Sequence, residues 1–551
     1  MRRALGGVVI GVLLISGCAG IPTSGGVVPG AIIDEQFDPE LVVLPSEPRP
    51  GSTQEDILID FMLALRGPQS GYAIARQYLA ENIADDWNPD ESTIIRTGGY
   101  SIAPGSTENT LQYTFTSRAI VDSNGIYRED PPATQTLGFG FVQEEGEWRI
   151  SAVPDGTVLS QSSFDVVFAE LALYFFDPSY QYLVPDVRWF PSRATVTSRI
   201  VRELLKGPAP WLQQGAVVNS FPIATTVVDA ESVSGAATVD LSPEALTASA
   251  LDRDRMRQQL AASLDVATVD MTVGGIDLQT PPGLPVAIRN PRVESADLVG
   301  DGERFGFATG DVLASIPGIS DRVVSSGATA VTLAADKQTA AMLTPGGVAV
   351  AQAGSSQSPV IDDRQGLVAP GLDPFRYVWS AERSSAGSLA VFEADGTPVN
   401  VANPLPADAQ VVSLDVSRDG TRLLVYLSTA FGPKLLVAGI VRQQGTNAPT
   451  ALGEPLELPI PSGEPVDATW VSDRSVATIA RSGESSPVTV IEIGGPSAAL
   501  SAAGQGVGIT GGNDGTAGLR VLEADGSVLS PRGSGGWVDT GLRASFLGTK
   551  Q

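Results

Sequence analysis

Residues 415–426 read DVSRDGTRLLVY and give the clearest fold signal in the chain. Apolar and polar side chains alternate on both sides of Asp419 and Gly420, which is typical of two antiparallel strands joined by a tight turn. A turn of the type EADG at residues 393–396 recurs at residues 523–526, about three units of ~43 residues further on. Helical periodicity is missing from about residue 320 onward. The sequence therefore predicts a C-terminal region built from repeated antiparallel sheets.

Two further residue pairs indicate a repeat of the same length. Trp379 and Trp470, and likewise Asp336 and Asp419, lie about two units of ~43 residues apart. Repeats of this size are typical of a β-propeller, and the stretch after residue 320 has room for five or six blades. We therefore predict an all-β propeller over residues 286–551, with a strand from residues 286–305 closing the ring.

Residues 161–285 combine strands and helices and are predicted to form an α+β domain. The apolar run at residues 168–176 and the stretch YLVPDVRWF at 182–190 predict two buried strands. Val196, Ile200 and Leu204 then share one face of a helix that ends at Lys206-Gly207-Pro208. The remaining elements are predicted at residues 237–241 (strand), 253–264 (helix) and 269–273 (strand).

Residues 51–160 contain helices first and an antiparallel sheet afterwards. Ser52 and Glu55 form a capping-box pattern ahead of a helical apolar stripe. After Pro89 the apolar period changes to two, and Asn124-Gly125 marks a hairpin turn. This order predicts an α+β layer pair and resembles an NTF2-like cone.

Such cones can enclose a pocket. Tyr113, Tyr127 and Trp148 are the candidate lining residues. The alternative is that these aromatic side chains simply fill the core, which is the commoner role of aromatic residues at strand spacing.

The N-terminus reads as a lipoprotein signal. Arg2 and Arg3 precede a short apolar run that ends in LISGC at residues 14–18, and small residues directly before a cysteine are typical of a bacterial lipobox. We predict a signal peptide over residues 1–17, cleavage between Gly17 and Cys18, and a lipidated Cys18 that carries a diacylglyceryl thioether and an N-acyl chain such as palmitate. Residues 18–50, rich in Gly and Pro, would form a flexible tether. The alternatives are an ordinary secretory signal and, with less support, a twin-arginine signal.

Composition restricts the possible functions. The 551 residues include 35 Lys and Arg against 62 Asp and Glu, so the formal net charge is −27. This charge repels nucleic acids, and nucleic-acid binding is therefore disfavoured. The chain has no histidine, and Cys18 is its one cysteine. The usual general base, the His-based nucleophile pairs and thiolate metal sites are thus missing, and we expect no catalytic residues, no cofactor and no metal site.

Several acidic motifs have both a chemical and a structural interpretation. Adjacent carboxylates invite comparison with glycosidase pairs, but neighbours on a strand point to opposite faces, so exposed turns explain them better. Two Asx-Gly stretches are similar to calcium loops but lack the full ligand series, which favours plain turns. The carboxylate pairs are Asp85-Asp86, Glu144-Glu145 and Asp362-Asp363, and the loop-like stretches are Asp122-Ser123-Asn124-Gly125 and Asn513-Asp514-Gly515.

The middle region resembles a GerMN domain. The stretches that carry this resemblance are LYFF at residues 173–176, LVP at 183–185, LLKGP at 204–208, FP at 221–222, VDLS at 239–242 and the strand at 269–273. Together with the lipobox, they resemble the LpqB family of actinobacterial envelope lipoproteins. The hairpin at residues 415–426 resembles TolB-type blades.

The family resemblance implies an NTF2-like region, a GerMN domain and a propeller, in that order. It also implies association with the extracytoplasmic domain of the MtrB sensor histidine kinase of the MtrAB two-component system. The expected function is then modulation of envelope homeostasis and cell division by a protein anchored to the outer face of the cell membrane. The alternatives are an envelope sensor that binds a cell-wall glycan or muropeptide and, less favoured, a carboxylate-dependent cell-wall enzyme.

Overall fold

The computed structural model describes residues 45–193, 195–281, 285–310, 312–460, 462–533 and 536–551. Gly17, Cys18 and all of the predicted tether before residue 45 lie outside the described residues. Within those ranges, no helix combines the length and the apolar character needed to cross a membrane. The predicted domain boundaries stay predictions, and the three parts are described below by their own sheets and cores.

The N-terminal part begins with three helices, and the first is positioned by its apolar face. Ile57, Leu58 and Phe61 are buried in the core. Thr53 is the N-cap, and its side chain and that of Asp56 each accept a hydrogen bond from the other residue's backbone N–H. The predicted cap at Ser52 and Glu55 is therefore wrong by one residue, because burial of the apolar face sets the helix register. The helices are α1 (Gln54–Ala64), α2 (Ala73–Arg76) and α3 (Glu81–Ala84).

A five-stranded sheet follows, with strand order β4-β3-β2-β1-β5. Strands β1 to β4 pair antiparallel, and β5 returns parallel to β1. Alternate residues of β2 are buried, as its period of two predicts. The part is thus an α+β layer pair, while its NTF2-like assignment stays a prediction. Its strands are β1 (Ser92–Pro104), β2 (Thr110–Asp122), β3 (Tyr127–Glu144), β4 (Glu147–Ala152) and β5 (Thr157–Ser160), and α4 (Gln161–Val167) comes next.

The middle part has two small sheets and two long helices. One sheet has the order β12-β7-β6 and the other the order β11-β10-β9-β8. Helix α5 presents Ile200, Val201 and Leu204 to the core, as the sequence predicts. The elements are β6 (Phe168–Phe176), β7 (Tyr182–Pro191), α5 (Val196–Lys206), β8 (Val227–Val233), β9 (Ala236–Leu241), α6 (Ala250–Ser263), β10 (Thr268–Val273), β11 (Ile276–Asp277) and β12 (Ile288–Arg289).

Strand β7 joins the first two parts because both of its faces are buried. Val187 and Trp189 pack into the N-terminal core, whereas Val184 and Phe190 pack into the core of the middle part. Successive side chains of a strand point to opposite faces, so a strand between two cores needs an almost uninterrupted apolar run. The nearly continuous apolar sequence at residues 182–190 is therefore explained by the position of β7 between two cores.

The rest of the described chain forms six sheets whose consecutive strands pair antiparallel. The first two sheets each gain one short strand from the end of the chain. The strands of the first three sheets are β13 (Asp297–Gly300), β14 (Phe305–Thr309) and β15 (Val312–Ala314); β16 (Ala330–Leu333), β17 (Thr339–Thr344), β18 (Gly347–Gln352) and β19 (Val360–Asp362); and β20 (Gly371–Leu372), β21 (Tyr377–Ser380), β22 (Ala390–Glu393) and β23 (Pro398–Val399). A short helix, α7 (Ser320–Ser325), precedes β16.

The fourth to sixth sheets complete the set. Their strands are β24 (Gln410–Val416), β25 (Arg422–Thr429), β26 (Gly432–Arg442), β27 (Pro449–Leu452) and β28 (Leu456–Leu458); β29 (Glu464–Trp470), β30 (Ser475–Arg481), β31 (Ser486–Glu492) and β32 (Ser497–Ala503); and β33 (Gly506–Thr510), β34 (Arg520–Glu523), β35 (Ser527–Pro531) and β36 (Trp537–Arg543). Two late strands, β37 (Phe546–Leu547) and β38 (Thr549–Lys550), return to the first and second sheets, beside β13 and β16.

The six sheets form a closed ring. Contacts run from β37 to β16, β20, β24, β29 and β33 in turn and then from β33 back to β37. Each of these strands lies at or next to one edge of its sheet. The ring is therefore a propeller, in which β37 of the first blade comes from the far end of the chain.

Not every repeat signal marks equivalent positions. Asp336 and Asp419 both lie in the turn between the first and second strands of their blades, so their spacing does report the repeat. Trp379 is on a second strand and Trp470 on a first strand, so the interpretation of their spacing was wrong. The two EADG turns also differ, since one joins third and fourth strands and the other joins second and third strands. Side chains of the same type recur at similar spacing because blades are similar in length, not because the positions match.

Buried ion pairs connect neighbouring blades. Arg442 of β26 contacts Asp373, which follows β20, with 2.6 Å between Nη2 and Oδ2 and neither side chain exposed. Arg422 pairs with Asp419 within its blade and also donates to the backbone carbonyl of Asp473 in the next blade, at 2.6 Å. The DG turn is therefore a buried junction between blades, not a solvated hairpin tip.

Candidate functional site

The predicted lipidation site is not visible here. Cys18 and the Gly17–Cys18 cleavage site lie outside the described residues, so the anchor stays a prediction. The other sequence-derived candidates can be placed.

The aromatic residues proposed for a pocket belong mostly to the core. The ring of Tyr113 lies 4.8 Å from that of Tyr100, and Tyr127 packs 5.8 Å from Trp189. Both Tyr113 and Tyr127 are buried, and burial raises the pKa of Tyr127. Trp148, on β4, is half-buried against the same core. The pocket interpretation is therefore wrong for the two tyrosines, because β2 and β3 direct them into the helix-covered face.

The paired carboxylates do not converge on a cleft. Asp85, Asp86 and Glu145 are exposed, as expected for turns. Asp362 differs, because it is buried at the end of β19 and accepts hydrogen bonds from Arg364 and Ser380. The exposed-turn interpretation is thus wrong for Asp362, which is held by a neighbouring guanidinium that the sequence alone does not place.

The loop-like stretches form turns. Oδ1 of Asp122 accepts hydrogen bonds from the backbone N–H groups of Asn124 and Ile126, which closes the β2–β3 hairpin. The side chain of Asn513 instead binds the backbone of Val293 through a pair of hydrogen bonds of 2.8 and 2.6 Å. In the part of the chain that is described, no group of three or more acidic, Cys or His side chains could hold a metal ion.

A small cavity lies where β24, β29, β33 and β38 meet. Asp415, Arg418, Thr510 and Lys550 line a cavity of only about 10 Å³. A cavity of that size holds about one water molecule, so a sugar ring does not fit there. The amino group of Lys550 donates to the carbonyl of Ala296 at 2.9 Å, and burial lowers its pKa to about 8.

Asp415 is the carboxyl group in the wall of this small cavity. Burial raises its pKa to about 7, while hydrogen bonds from the backbone of Trp470 and the hydroxyl of Thr469 act in the opposite direction. Asp467, on the same inner strand as Trp470, has its pKa raised by burial to about 6. Perturbed carboxyl groups often mark active sites, but the cavity beside Asp415, at about 10 Å³, is too small to hold a substrate.

A larger cavity lies between the N-terminal and middle parts. Its volume is about 420 Å³, and its wall includes Asp90, Arg193, Arg199 and Arg202. Nη2 of Arg193 lies 2.5 Å from Oδ1 of Asp90, and Nη1 of Arg199 lies 3.2 Å from Oδ2 of the same carboxylate. Burial acts to lower the pKa of Arg193, but the hydrogen bonds to Asp90, the charge of Asp90 and the interaction with Tyr72 together outweigh burial, so the net direction is upward.

Aromatic rings support two of these arginines. The guanidinium of Arg193 lies 5.0 Å from the ring of Tyr72, and that of Arg199 lies 5.2 Å from the ring of Phe190. The guanidinium groups are thus held in place on the aromatic faces. Sequence reasoning missed this site. Arg199 and Arg202 are spaced for one helix face and were visible as a signal, but Asp90 joins them only through the tertiary fold.

The middle part is also fixed to the ring. The indole N–H of Trp189 donates to the carbonyl of Gly494 at 2.8 Å, and Nη1 of Arg474 lies 2.7 Å from Oε1 of Glu170. Nε of Arg474 also lies 3.7 Å from Oε1 of Glu492, and burial, followed by the charge of Glu170, raises the pKa of Glu492 to about 7. The described residues thus form one continuous body across these borders.

Comparison with known proteins gives three successive family matches. The model of the N-terminal domain of Lipoprotein LpqB matches residues 47–165, a model described as Sporulation and spore germination matches 172–279, and the Lipoprotein LpqB beta-propeller domain matches 305–542. These matches have the same order as the three structural parts.

Named relatives align over most of the chain. Lipoprotein LpqB of Cutibacterium acnes is 26% identical over 530 residues, which cover 87% of each chain. Lipoprotein LpqB of Streptomyces coelicolor is 28% identical over 574 residues, covering 90% of this chain and 89% of the relative. These relatives are named as lipoproteins, not as enzymes.

Solved structures show weaker likeness. TolB from Acinetobacter baumannii is 15% identical with a TM-score of 0.29, covering 42% of this chain and 61% of that chain. The tandem GerMN domains of GerM from Bacillus subtilis are 17% identical with a TM-score of 0.18, covering 24% and 56%. TM-scores this low do not establish a shared fold. The family models and the full-length relatives agree, and the chain belongs to the LpqB lipoprotein family.

Proposed function

We propose that the protein is a lipid-anchored accessory protein on the extracytoplasmic face of the cell membrane, and that it binds and modulates the MtrB sensor kinase of the MtrAB system. Membership of the LpqB family supports the proposal, since the relatives that align over most of the chain are named as lipoproteins. The NTF2-like character of the first part and lipidation at Cys18 belong to the same proposal.

The anchor would do more than localise the protein. Two acyl chains hold a protein on a bilayer almost permanently, because each buried CH₂ contributes about 0.8 kcal/mol. A partner embedded in the same membrane then meets the protein at a raised effective concentration. The contact with the kinase would therefore not need high intrinsic affinity.

The structure supplies a probe for each candidate contact surface. Ile223, in the middle part, has 97% of its surface exposed, and Phe431, at the turn between β25 and β26 of the ring, has 98% exposed. Large apolar side chains at this exposure are costly to leave in water and are typical of contact surfaces when they cluster. Replacing either with Ser removes no buried contact, so the fold should be unchanged.

Calorimetry of the full chain in detergent with the purified extracytoplasmic domain of the co-resident MtrB-like kinase tests the proposal. We expect saturable binding at two salt concentrations, weakened by either Ile223→Ser or Phe431→Ser, according to which surface makes the contact. Cys18→Ser should bind the soluble kinase domain equally well but leave the membrane fraction of cells. Absence of binding at high micromolar concentration would contradict the kinase proposal, and equal membrane retention of Cys18→Ser would contradict the anchor.

A second function is favoured by one observation. The cavity beside Arg193 and Arg199 has the size of a small-molecule site, which fits an envelope sensor better than a pure scaffold. The cavity beside Asp415, at about 10 Å³, is too small to favour glycan binding there.

A further inference from the structure

The cavity between the N-terminal and middle parts carries an unusual local charge. Arg193, Arg199 and Arg202 contribute three positive charges to its wall and Asp90 one negative charge, which leaves two positive charges. The whole chain, by contrast, has a formal net charge of −27. A concentration of guanidinium groups against that background creates a local positive potential, which attracts anions.

Two of the guanidinium groups have unused donors. The Nε–H groups of Arg193 and Arg199 are buried and have no hydrogen-bond acceptor among the described residues. A buried donor without an acceptor costs free energy, but these two Nε–H groups are closed off from solvent, and Arg193 also interacts with the side chain of Tyr72, so a ligand in the cavity meets the Nη groups first. The carboxylate of Asp90 is already engaged by the Nη atoms of both arginines.

The start of helix α5 also favours an anion in the cavity. Thr195 is the N-cap, but its side chain caps no backbone N–H, and the first turn contains no acidic residue. Ser198, on the cavity wall, donates its hydroxyl proton to the carbonyl of Ala230 at 3.1 Å, so that proton is not available to a ligand. The partial positive charge of the helix N-terminus is therefore not neutralised by the chain's own side chains.

Beside the polar Thr195 and Ser198, the wall has an apolar side, and the cavity leaves room for more than a bare ion. Val196, Val227 and Val228 form this side, and the volume of about 420 Å³ falls in the range of small-molecule sites. Planar guanidinium groups bind phosphate oxygens in pairs, and a phosphate monoester carries close to two negative charges at neutral pH. That charge matches the two positive charges left by the arginines and Asp90.

We propose that this cavity binds a soluble organic phosphate monoester, with its phosphate held by Arg193, Arg199 and Arg202 and its organic part against the valines. A lipid head group is the other source of an organic phosphate. It is a diester with one negative charge, and it lies in an anionic surface that repels this acidic protein. The site is independent of kinase binding, so either proposal can fail alone.

The experiment is calorimetric titration of the full chain in detergent with glycerol 3-phosphate as the monoester and glycerophosphoglycerol as the diester. We expect saturable binding of glycerol 3-phosphate that weakens as salt is raised, and weaker binding of the diester. Tighter binding of the diester would overturn the monoester assignment in favour of a lipid head group. Binding of neither compound would overturn the site.

Two variants test the residues without disturbing the core. Arg202 is exposed, and Val228 is exposed on β8, so Arg202→Gln and Val228→Glu should both melt at the wild-type temperature. Each should weaken glycerol 3-phosphate binding by about tenfold, since one removes a charged hydrogen-bond donor and the other adds a repelling carboxylate. Arg481→Gln, on the fifth blade, removes the same charge far from the cavity in sequence and should leave binding unchanged. Equal weakening by Arg481→Gln would show that net charge, not this site, attracts the ligand.

Discussion

Asp415 illustrates how a single buried carboxyl group makes stability depend on pH. Its pKa is about 7 in the folded chain, against about 3.9 in an unfolded chain. Between these values the folded state holds a proton that the unfolded state has released, so the free energy of unfolding falls as pH rises through this window. Above pH 7 the folded state must bury a charge.

The first prediction follows from this fall in the free energy of unfolding with rising pH. Asp415→Asn should reduce the decline in stability between about pH 4 and 7, and at pH 7 it should be more stable than wild type by on the order of 2 kcal/mol. Urea unfolding across this pH range is the measurement. Asp363→Asn, at an exposed carboxylate, should keep the wild-type slope. If Asp415→Asn is destabilised at every pH, the carboxylate must be charged in the folded state, contrary to its raised pKa.

Blades of the ring are joined by charged side chains as well as by apolar packing. Arg442 holds Asp373 of the preceding blade and also donates to the carbonyl of Gly420 at 2.7 Å. Phe375 and Tyr377 cover this guanidinium at 4.7 and 5.9 Å. Removing one member of a fully buried pair leaves an uncompensated charge, which is far more costly than breaking an exposed pair.

We therefore expect Arg442→Ala to lower the free energy of unfolding by about 3–5 kcal/mol. Arg376→Ala is the matched control, because Arg376 pairs with Asp336 in the same region with both side chains substantially exposed. The free energy of unfolding should change little in Arg376→Ala, because exposed ion pairs contribute little to stability. Denaturant unfolding of both variants gives the comparison, and similar losses for the two would show that the buried pair does not hold the blades together.

The middle part packs against the ring at a point where the backbone of β26 comes very close to residues 211–216. A Cβ at Gly439 of β26 would lie 2.7 Å from Cβ of Ala216 and 3.0 Å from the carbonyl oxygen of Trp211. Trp211 itself packs against both the middle core and the ring. Glycine is therefore needed at this position by the neighbouring part, not by its own blade.

Gly439→Leu should push the middle part away from the ring and split a single calorimetric unfolding transition into two. Gly354→Leu is the control within the ring, because no atom lies within 4 Å of a Cβ at that position. It should keep one transition. A single transition at the wild-type temperature for Gly439→Leu would mean that this approach does not couple the two parts.

Sequence patterns predicted local structure well and tertiary partners poorly. The strand at 168–176 and the helix that begins at Val196 were recognisable because each buries one regular apolar pattern. Asp419 was interpreted as a hairpin turn, but its burial beside Arg422 depends on the next blade, which no local pattern encodes. The arginine cavity was missed for the same reason, since Asp90 and Arg193 are 103 residues apart in sequence.

Closure of the ring has a consequence for the order of events during synthesis. Strand β13 emerges early, at Asp297–Gly300, but its partner β37 is not made until Phe546–Leu547. A nascent chain must therefore carry an open edge of β13 while five blades are still being added, and unpaired edges invite pairing with other chains. Contacts this distant in sequence are also slow to form. The interval between these two strands is the period in which the protein most needs protection from aggregation.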